Sequence, residues 1–153
     1  MSKDSTPVRC RFPAYESLDK EELCEFLYSV DKDFTPCLSA KVELDAWSEK
    51  VLNQASYVAC YEEHRLAGLL VFYCNDFQTR RSYISLLGVG RQYRGKGYAR
   101  KMLLQTIESV KEKNFSVIGV HSNNPTAINL YRSVGFNIVG EAVEGRYYLE
   151  LSV

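Results

Sequence analysis

Neither sign of charge is in excess in this 153-residue chain, where 19 Lys and Arg balance 19 Asp and Glu. A balanced surface makes no global field for nucleic acid or an anionic membrane, and it does not favour a strongly cationic substrate. No apolar run approaches the roughly 18 residues of a membrane-spanning helix, and no secretory leader is visible. Histidine is scarce, with only His64 and His121, and the five cysteines, Cys10, Cys24, Cys37, Cys60 and Cys74, are odd in number and lack CxxC spacing. Neither a disulfide framework nor a protein metal site is expected, and a reducing, cytoplasmic setting is the simplest expectation. Repeats, linkers and low-complexity segments are missing too. Residues 1–153 therefore read as one domain, long enough to bury a sizeable core.

The charge balance breaks locally. Arg91, Arg94, Lys96, Arg100 and Lys101 crowd the turn where an apolar strand runs into an amphipathic helix, with no acidic residue among them. Helix starts carry partial positive charge and ordinarily favour Asp or Glu, each worth about 0.3–1 kcal/mol. The reversed arrangement becomes favourable when an anion sits on the free backbone N–H groups. Gly95 and Gly97 let the backbone approach that anion without a Cβ between. The turn matches neither a Walker A loop nor a dinucleotide fingerprint, since Tyr93 or Arg100 stands where the third glycine would fall. A solvated basic corner accounts for the same residues.

The stretch from Asn124 to Phe136 reads as a short helix with Asn124 as N-cap, Pro125 at the first position and Gly135 at the C-terminal cap. Ala127, Leu130, Tyr131 and Val134 recur at helical spacing, which predicts a buried Tyr131. Elsewhere the pattern predicts strands at Val8–Phe12, Ser56–Tyr61, Leu66–Cys74, Ser82–Val89, Ser116–His121, Ile138–Glu141 and Arg146–Ser152. It predicts helices over about Asp19–Val30, Leu44–Asn53 and Gly97–Lys113, the last with Ala99, Leu103, Thr106, Ile107 and Val110 inward. The polar turn Glu62-Glu63-His64-Arg65 marks an antiparallel hairpin.

Together the two motifs resemble those of the GNAT superfamily of N-acetyltransferases. Arg94, Gly97 and Ala99 match its acetyl-CoA motif Q/R-x-x-G-x-G/A, and Asn124, Ala127, Leu130, Tyr131, Gly135 and Phe136 match N-x-x-A-x-x-L-Y-x-x-x-G-F. The resemblance covers about residues 56 to 140 well and the earlier part only in its β-α-α pattern. It implies an α/β fold with a mixed, largely antiparallel sheet of about seven strands and about four helices. It also implies acetyl-CoA as acetyl donor, no metal, and transfer to a primary amine by direct attack. The implied donor contacts are Leu87, Gly88, Val89, Arg94, Gly95, Lys96, Gly97, Tyr98, Ala99, Asn124 and Tyr131. A backbone N–H around Leu87 to Val89 would polarise the thioester carbonyl, and Tyr131 would protonate the departing thiolate.

The chain departs from some relatives at the general base, because the acid often found twelve residues before the tyrosine is Gly119 here. His121, Asp76, Glu43, Asp45 or a water chain are the candidates, with His121 first because it titrates near neutrality at the end of a strand lining the cleft. Cys37 or Cys74 as acyl-bearing nucleophile ranks lower. For the acceptor, Phe34, Trp47, Tyr57, Tyr73, Phe77 and Tyr83 are candidate wall residues, and Arg80 with Arg81 either grips a nucleotide phosphate or forms a solvated hairpin tip. The segment Phe34–Ser39 with Leu44–Lys50 is similar to small acetyltransferases of surface-polysaccharide synthesis, implying an amino sugar or nucleotide-linked amino sugar. A peptide N-terminus, a polyamine or an aminoglycoside stays open, as do a non-catalytic CoA-binding sensor, a structural interaction domain and a homodimer.

Overall fold

Alternating apolar residues along the central strands send successive side chains to opposite sides of one sheet. The computed structural model describes residues 6–14, 18–140 and 142–153. In chain order these form β1 (Arg9–Phe12), α1 (Lys20–Val30), α2 (Leu44–Gln54), β2 (Ser56–Glu62), β3 (Arg65–Asp76), β4 (Arg81–Val89), α3 (Tyr98–Glu112), β5 (Val117–Ser122), α4 (Pro125–Ser133), β6 (Asn137–Ile138) and β7 (Tyr147–Ser152). Short 3₁₀ turns at Asp31–Asp33, Leu38–Ala40 and Arg91–Tyr93 were not anticipated. The sheet order is β1-β2-β3-β4-β5-β7-β6. The pairs β1–β2 and β4–β5 are parallel and the rest antiparallel, as expected of a mixed, largely antiparallel α/β sheet.

Val58, Cys60, Leu70 and Phe72 face the layer of α3 and α4, packing with Met102, Leu103, Tyr131 and Phe136. Tyr57, Ala59, Leu69 and Val71 point the other way, onto Leu23 and Leu27 of α1 and Leu44 and Val51 of α2. The buried stripe of α3 is broader than its pattern suggested, since Met102 and Ser109 join Leu103, Thr106, Ile107 and Val110, while Ala99 is only half-buried. Glu63 and His64, both with positive φ, make the two-residue turn between the paired Glu62 and Arg65.

Two irregularities of β4 prepare the site. Phe72 lies opposite Ile84 but Val71 opposite Leu86, so Ser85 is an extra residue, a bulge that reverses which side chains face which layer. Ile84 packs toward α3 and α4, whereas beyond the bulge Leu86 packs toward α1 and α2 and Leu87 and Val89 take the α3–α4 side. The second irregularity is a split. Pairing of β4 with β5 ends at Ile84 and Val120, while β5 continues through His121 and Ser122 against Tyr148 and Tyr147 of β7. The parallel strands therefore part at His121.

The last strands are shorter than expected. β6 pairs only over Asn137–Ile138, and Glu141, the expected end of that strand, lies outside the described residues. Arg146 precedes β7 and bridges to Val143 across the Glu144-Gly145 turn, whose two residues both have positive φ.

Candidate active site

Among the described residues, three of the four α-helices begin with a side-chain cap. Asp19 accepts the Glu22 N–H, Glu43 those of Asp45 and Ala46, and Asn124 those of Thr126 and Ala127. α3 has none. Its N-cap is Gly97 in the left-handed region at φ +83°, and no acidic residue stands in its first turn. The first N–H groups of α3 therefore lack both an intrahelical acceptor and a cap, the condition under which a helix start takes an anion. A Cβ at Gly95 or Gly97 would meet no atom within 4 Å, so positive φ, rather than crowding, requires glycine there.

Above this helix start opens a cavity of about 560 Å³. Arg94, Gly95, Gly97, Tyr98 and Ala99 line one wall, and Leu87, Gly88, Val89 and Asn124 line the strand side. These are the expected donor contacts, apart from two. Lys96 is turned away, its Nζ 2.6 Å from Glu62 Oε1, and Tyr98 Oη donates to Glu62 Oε2 at 2.8 Å. Those two hydrogen bonds hold the Glu62 carboxyl below its usual range. Tyr131 belongs to the adjoining cavity instead. Sequence patterns did not foresee Asp33, which accepts from Arg94 Nη2 at 2.5 Å and lies 3.6 Å from Arg91 Nη2. Arg94 also donates from Nε to the Val89 carbonyl at 3.0 Å. Arg100, Thr126 and Leu130 line the same cavity without having been expected.

A second cavity, about 120 Å³, abuts the first, the two sharing Asp33, Phe34, Leu87, Asn124 and Ala127. Tyr131 and His121 both line it. Tyr131 is 3% exposed. Burial, with the neighbouring Tyr83 adding to it, pushes its phenol far above the ordinary value, so it keeps its proton at any physiological pH. The His121 ring lies 4.8 Å from that of Tyr148, and its Nδ1 is 2.8 Å from Tyr83 Oη. Burial, then the charges of Arg146 and Lys41, lower the His121 pKa, leaving the imidazole neutral near pH 7. Beneath it, Tyr148 Oη donates to Glu150 Oε2 at 2.9 Å, and Glu150 also pairs with Arg81.

Position 119, where the resemblance would put an acid, is sterically closed. A Cβ there would come within 2.3 Å of Tyr148 Oη, so the phenol fills the space that a carboxylic side chain on β5 would need. The other base candidates lie elsewhere: Glu43 caps α2, Asp45 accepts from Tyr28, and Asp76 caps the β3–β4 turn through the N–H groups of Gln78 and Thr79. Among the described titratable residues proposed as base, only His121 lines a cavity of the site. Cys74 is buried in the α3–α4 core, where burial raises its thiol to about 11. Of the expected acceptor wall, Phe34 and Tyr83 line the smaller cavity. Trp47, Tyr57 and Tyr73 pack in the α1–α2 core and Phe77 against Phe115, so the β-strand and helix pattern that made them conspicuous was core pattern. Arg80 donates to the Asn114 carbonyl at 3.2 Å and Arg81 pairs with Glu150, so neither is at the cavity.

The Acetyltransferase (GNAT) family matches residues 16–136, and the chain belongs to that family. It is an acetyl-CoA-dependent N-acetyltransferase. Among its relatives, the N-alpha-acetyltransferase RimI of Mycobacterium tuberculosis is 31% identical over 111 residues, 68% of each chain. The L-methionine sulfoximine/L-methionine sulfone acetyltransferase of Salmonella typhimurium is 24% identical over 113 residues, 62% of this chain and 66% of the other. The fold is that of PaiA N-acetyltransferase from Thermoplasma acidophilum, solved in complex with coenzyme A, with TM-score 0.68, 14% identity, and 89% and 96% of the two chains covered. Among the described residues no group of three His, Cys, Asp or Glu could hold a metal ion, and no helix is long and apolar enough to cross a membrane.

Proposed function

We propose that this enzyme acetylates the primary amine of a small molecule by direct attack, with His121 accepting the amine proton and Tyr131 holding the proton given to the leaving thiolate. The observation that carries this reading is the strand split, where a neutral imidazole and a protonated phenol line one small cavity that opens onto the larger one. Acetyl-CoA supplies an activated acyl thioester, and the 560 Å³ cavity with its uncapped helix start suits its pyrophosphate and pantetheine.

Each chain residue then has a task. The N–H groups from Gly95 to Ala99 hold phosphate oxygens, and Arg94 exchanges Asp33 for them. A backbone N–H of Leu87 to Val89 donates to the thioester carbonyl, on the edge of β4 that β5 has left. With Nδ1–H donated to Tyr83 Oη, His121 Nε2 carries the free lone pair for the amine proton. A C–N bond forms, the C–S bond breaks, and Tyr131 Oη delivers its proton to sulfur. The protonated, buried Cys74 argues against an acyl-enzyme route.

Incubating the protein with acetyl-CoA and a panel of primary amines, with thiol release and product mass as readouts, tests this. Amine-dependent thiol release with N-acetylated product supports it. Thiol release without amine, or an acetylated protein that accumulates, contradicts it. A second reading, a peptide N-terminus as acceptor, is favoured by the similarity to RimI; short peptides in the same panel distinguish it.

A further inference from the structure

Within the acceptor cavity the charges do not cancel. Arg91 and Arg94 share Asp33, while Lys96 pairs with Glu62 and Arg81 with Glu150. Lys41 and Arg146 both line the smaller cavity, and neither has a carboxylate within ion-pair distance among the described residues. They come from distant parts of the chain: Lys41 ends the 3₁₀ turn Leu38–Ala40, and Arg146 leads into β7. Among the described residues, the only carboxylate lining this cavity is that of Asp33, already shared by two arginines.

We propose that Lys41 and Arg146 form an anion subsite beside His121, and that the acceptor is an amine carrying a compact oxyanion, in the first instance the carboxylate of a small α-amino acid. This rests on the acetyltransferase reading and specifies its substrate.

Two like charges held at one half-enclosed cavity without a counter-ion are unfavourable until an anion arrives. Each is felt nearby: the Lys41 ammonium is disfavoured by burial and then by Arg146, and both cations act on His121. A bare ammonium meets the same repulsion, so polyamines, aminoglycosides and amino sugars without an acidic group fit this field poorly. An amino acid does not share that difficulty, because its carboxylate neutralises the cations. Those cations also favour the unprotonated amine, the form that attacks. Arg146 offers a planar fork suited to a carboxylate, and Lys41 a point charge. A cavity of about 120 Å³, about a fifth of the 560 Å³ beside it, suits a carboxylate on a small acceptor. A phosphate shares the chemistry and is separated experimentally.

The test compares α-amino acids, their amides, the corresponding decarboxylated amines, and ethanolamine with O-phosphoethanolamine, using the wild type, Lys41→Met and Arg146→Gln. The expected result is a kcat/KM at least about tenfold higher for the acids than for their amides or amines, carried by KM and lost in both variants. A preference for O-phosphoethanolamine over both ethanolamine and the acids would overturn the carboxylate assignment in favour of phosphate. Equal use of acids, amides and amines would overturn the subsite while leaving the acetyltransferase reading intact.

A second readout needs no turnover. The His121 imidazole is titrated by NMR with N-acetyl-L-alanine or its amide. The acid is expected to raise the His121 pKa saturably and the amide to leave it unmoved, and each variant to raise the ligand-free value and abolish the response. A response to the acid with no amine acetylated would uphold the subsite and refute the reaction. No response at millimolar acid would refute the subsite whatever the amine panel shows.

Discussion

Replacing Gly97 by alanine and by aspartate separates what the backbone requires from what the anion requires. Gly97 sits at φ +83°, and a Cβ there meets no atom within 4 Å. Alanine therefore suffers conformational strain without a clash, about 1–2 kcal/mol for a left-handed non-glycine residue. For a domain of this size that lowers Tm by about 2–8 °C. Aspartate tolerates the left-handed region better, and a carboxylate at the uncapped start of α3 gains about 0.3–1 kcal/mol from the helix. The ligand-free Asp variant should thus be at least as stable as the Ala variant. Toward acetyl-CoA the order inverts. A carboxylate about 5 Å from one phosphate charge costs about 3 kcal/mol at an effective dielectric of about 20, more than about a hundredfold in Kd. Thermal melts and calorimetric titration of acetyl-CoA into the three proteins measure both quantities. Equal acetyl-CoA affinity in the Ala and Asp variants would refute a pyrophosphate at this helix start.

Three further outcomes are expected. Asp33→Asn frees Arg94 and Arg91, so acetyl-CoA should bind about two- to fivefold more tightly at low salt, an exposed pair being worth up to about 1 kcal/mol; weaker binding would make Asp33 a positioning group for the loop. The acid limb of kcat/KM should lie below the ordinary histidine value of 6.5, because burial and the charges of Arg146 and Lys41 oppose protonation of His121. Rate is then retained as pH falls through 6.5 and lost only below it, and Lys41→Met should shift the limb upward; a limb above 6.5 in the wild type would exclude His121 as the base. Gly119→Ala forces a methyl against Tyr148, an overpacking cost of about 1–3 kcal/mol visible as a lower Tm; an unchanged Tm would show that Tyr148 moves freely.

Local signals carried most of what could be read from the chain. The Asn124 cap, Pro125 and helical spacing gave α4 its start and turned Tyr131 inward, because each acts within a few residues. The glycine turn was legible for the same reason. What escaped depends on residues far apart. Asp33 meets Arg94 across 61 positions, and nothing near either one signals the other. The bulge at Ser85 carries no Gly or Pro mark, and it appears only in the register between β3 and β4. Trp47, Tyr57 and Tyr73 looked like an acceptor wall because aromatic residues on strands and amphipathic helices serve cores and clefts alike, and burial alone distinguishes them. Lys41 and Arg146 are ordinary loop cations in sequence, brought to one cavity by the turn after α1 and the turn before β7. That no acid stands at Gly119 was visible, whereas the Tyr148 phenol occupying that space required the pairing of β5 with β7.

Tyr131→Phe isolates proton donation to the thiolate, since it keeps the buried ring and removes only the hydroxyl. The measurement is kcat for amine-dependent thiol release, with acetyl-CoA affinity determined on the same protein. The expected result is a fall in kcat of about 10²–10⁴-fold with affinity unchanged within about threefold. Turnover equal to the wild type would contradict proton donation by Tyr131.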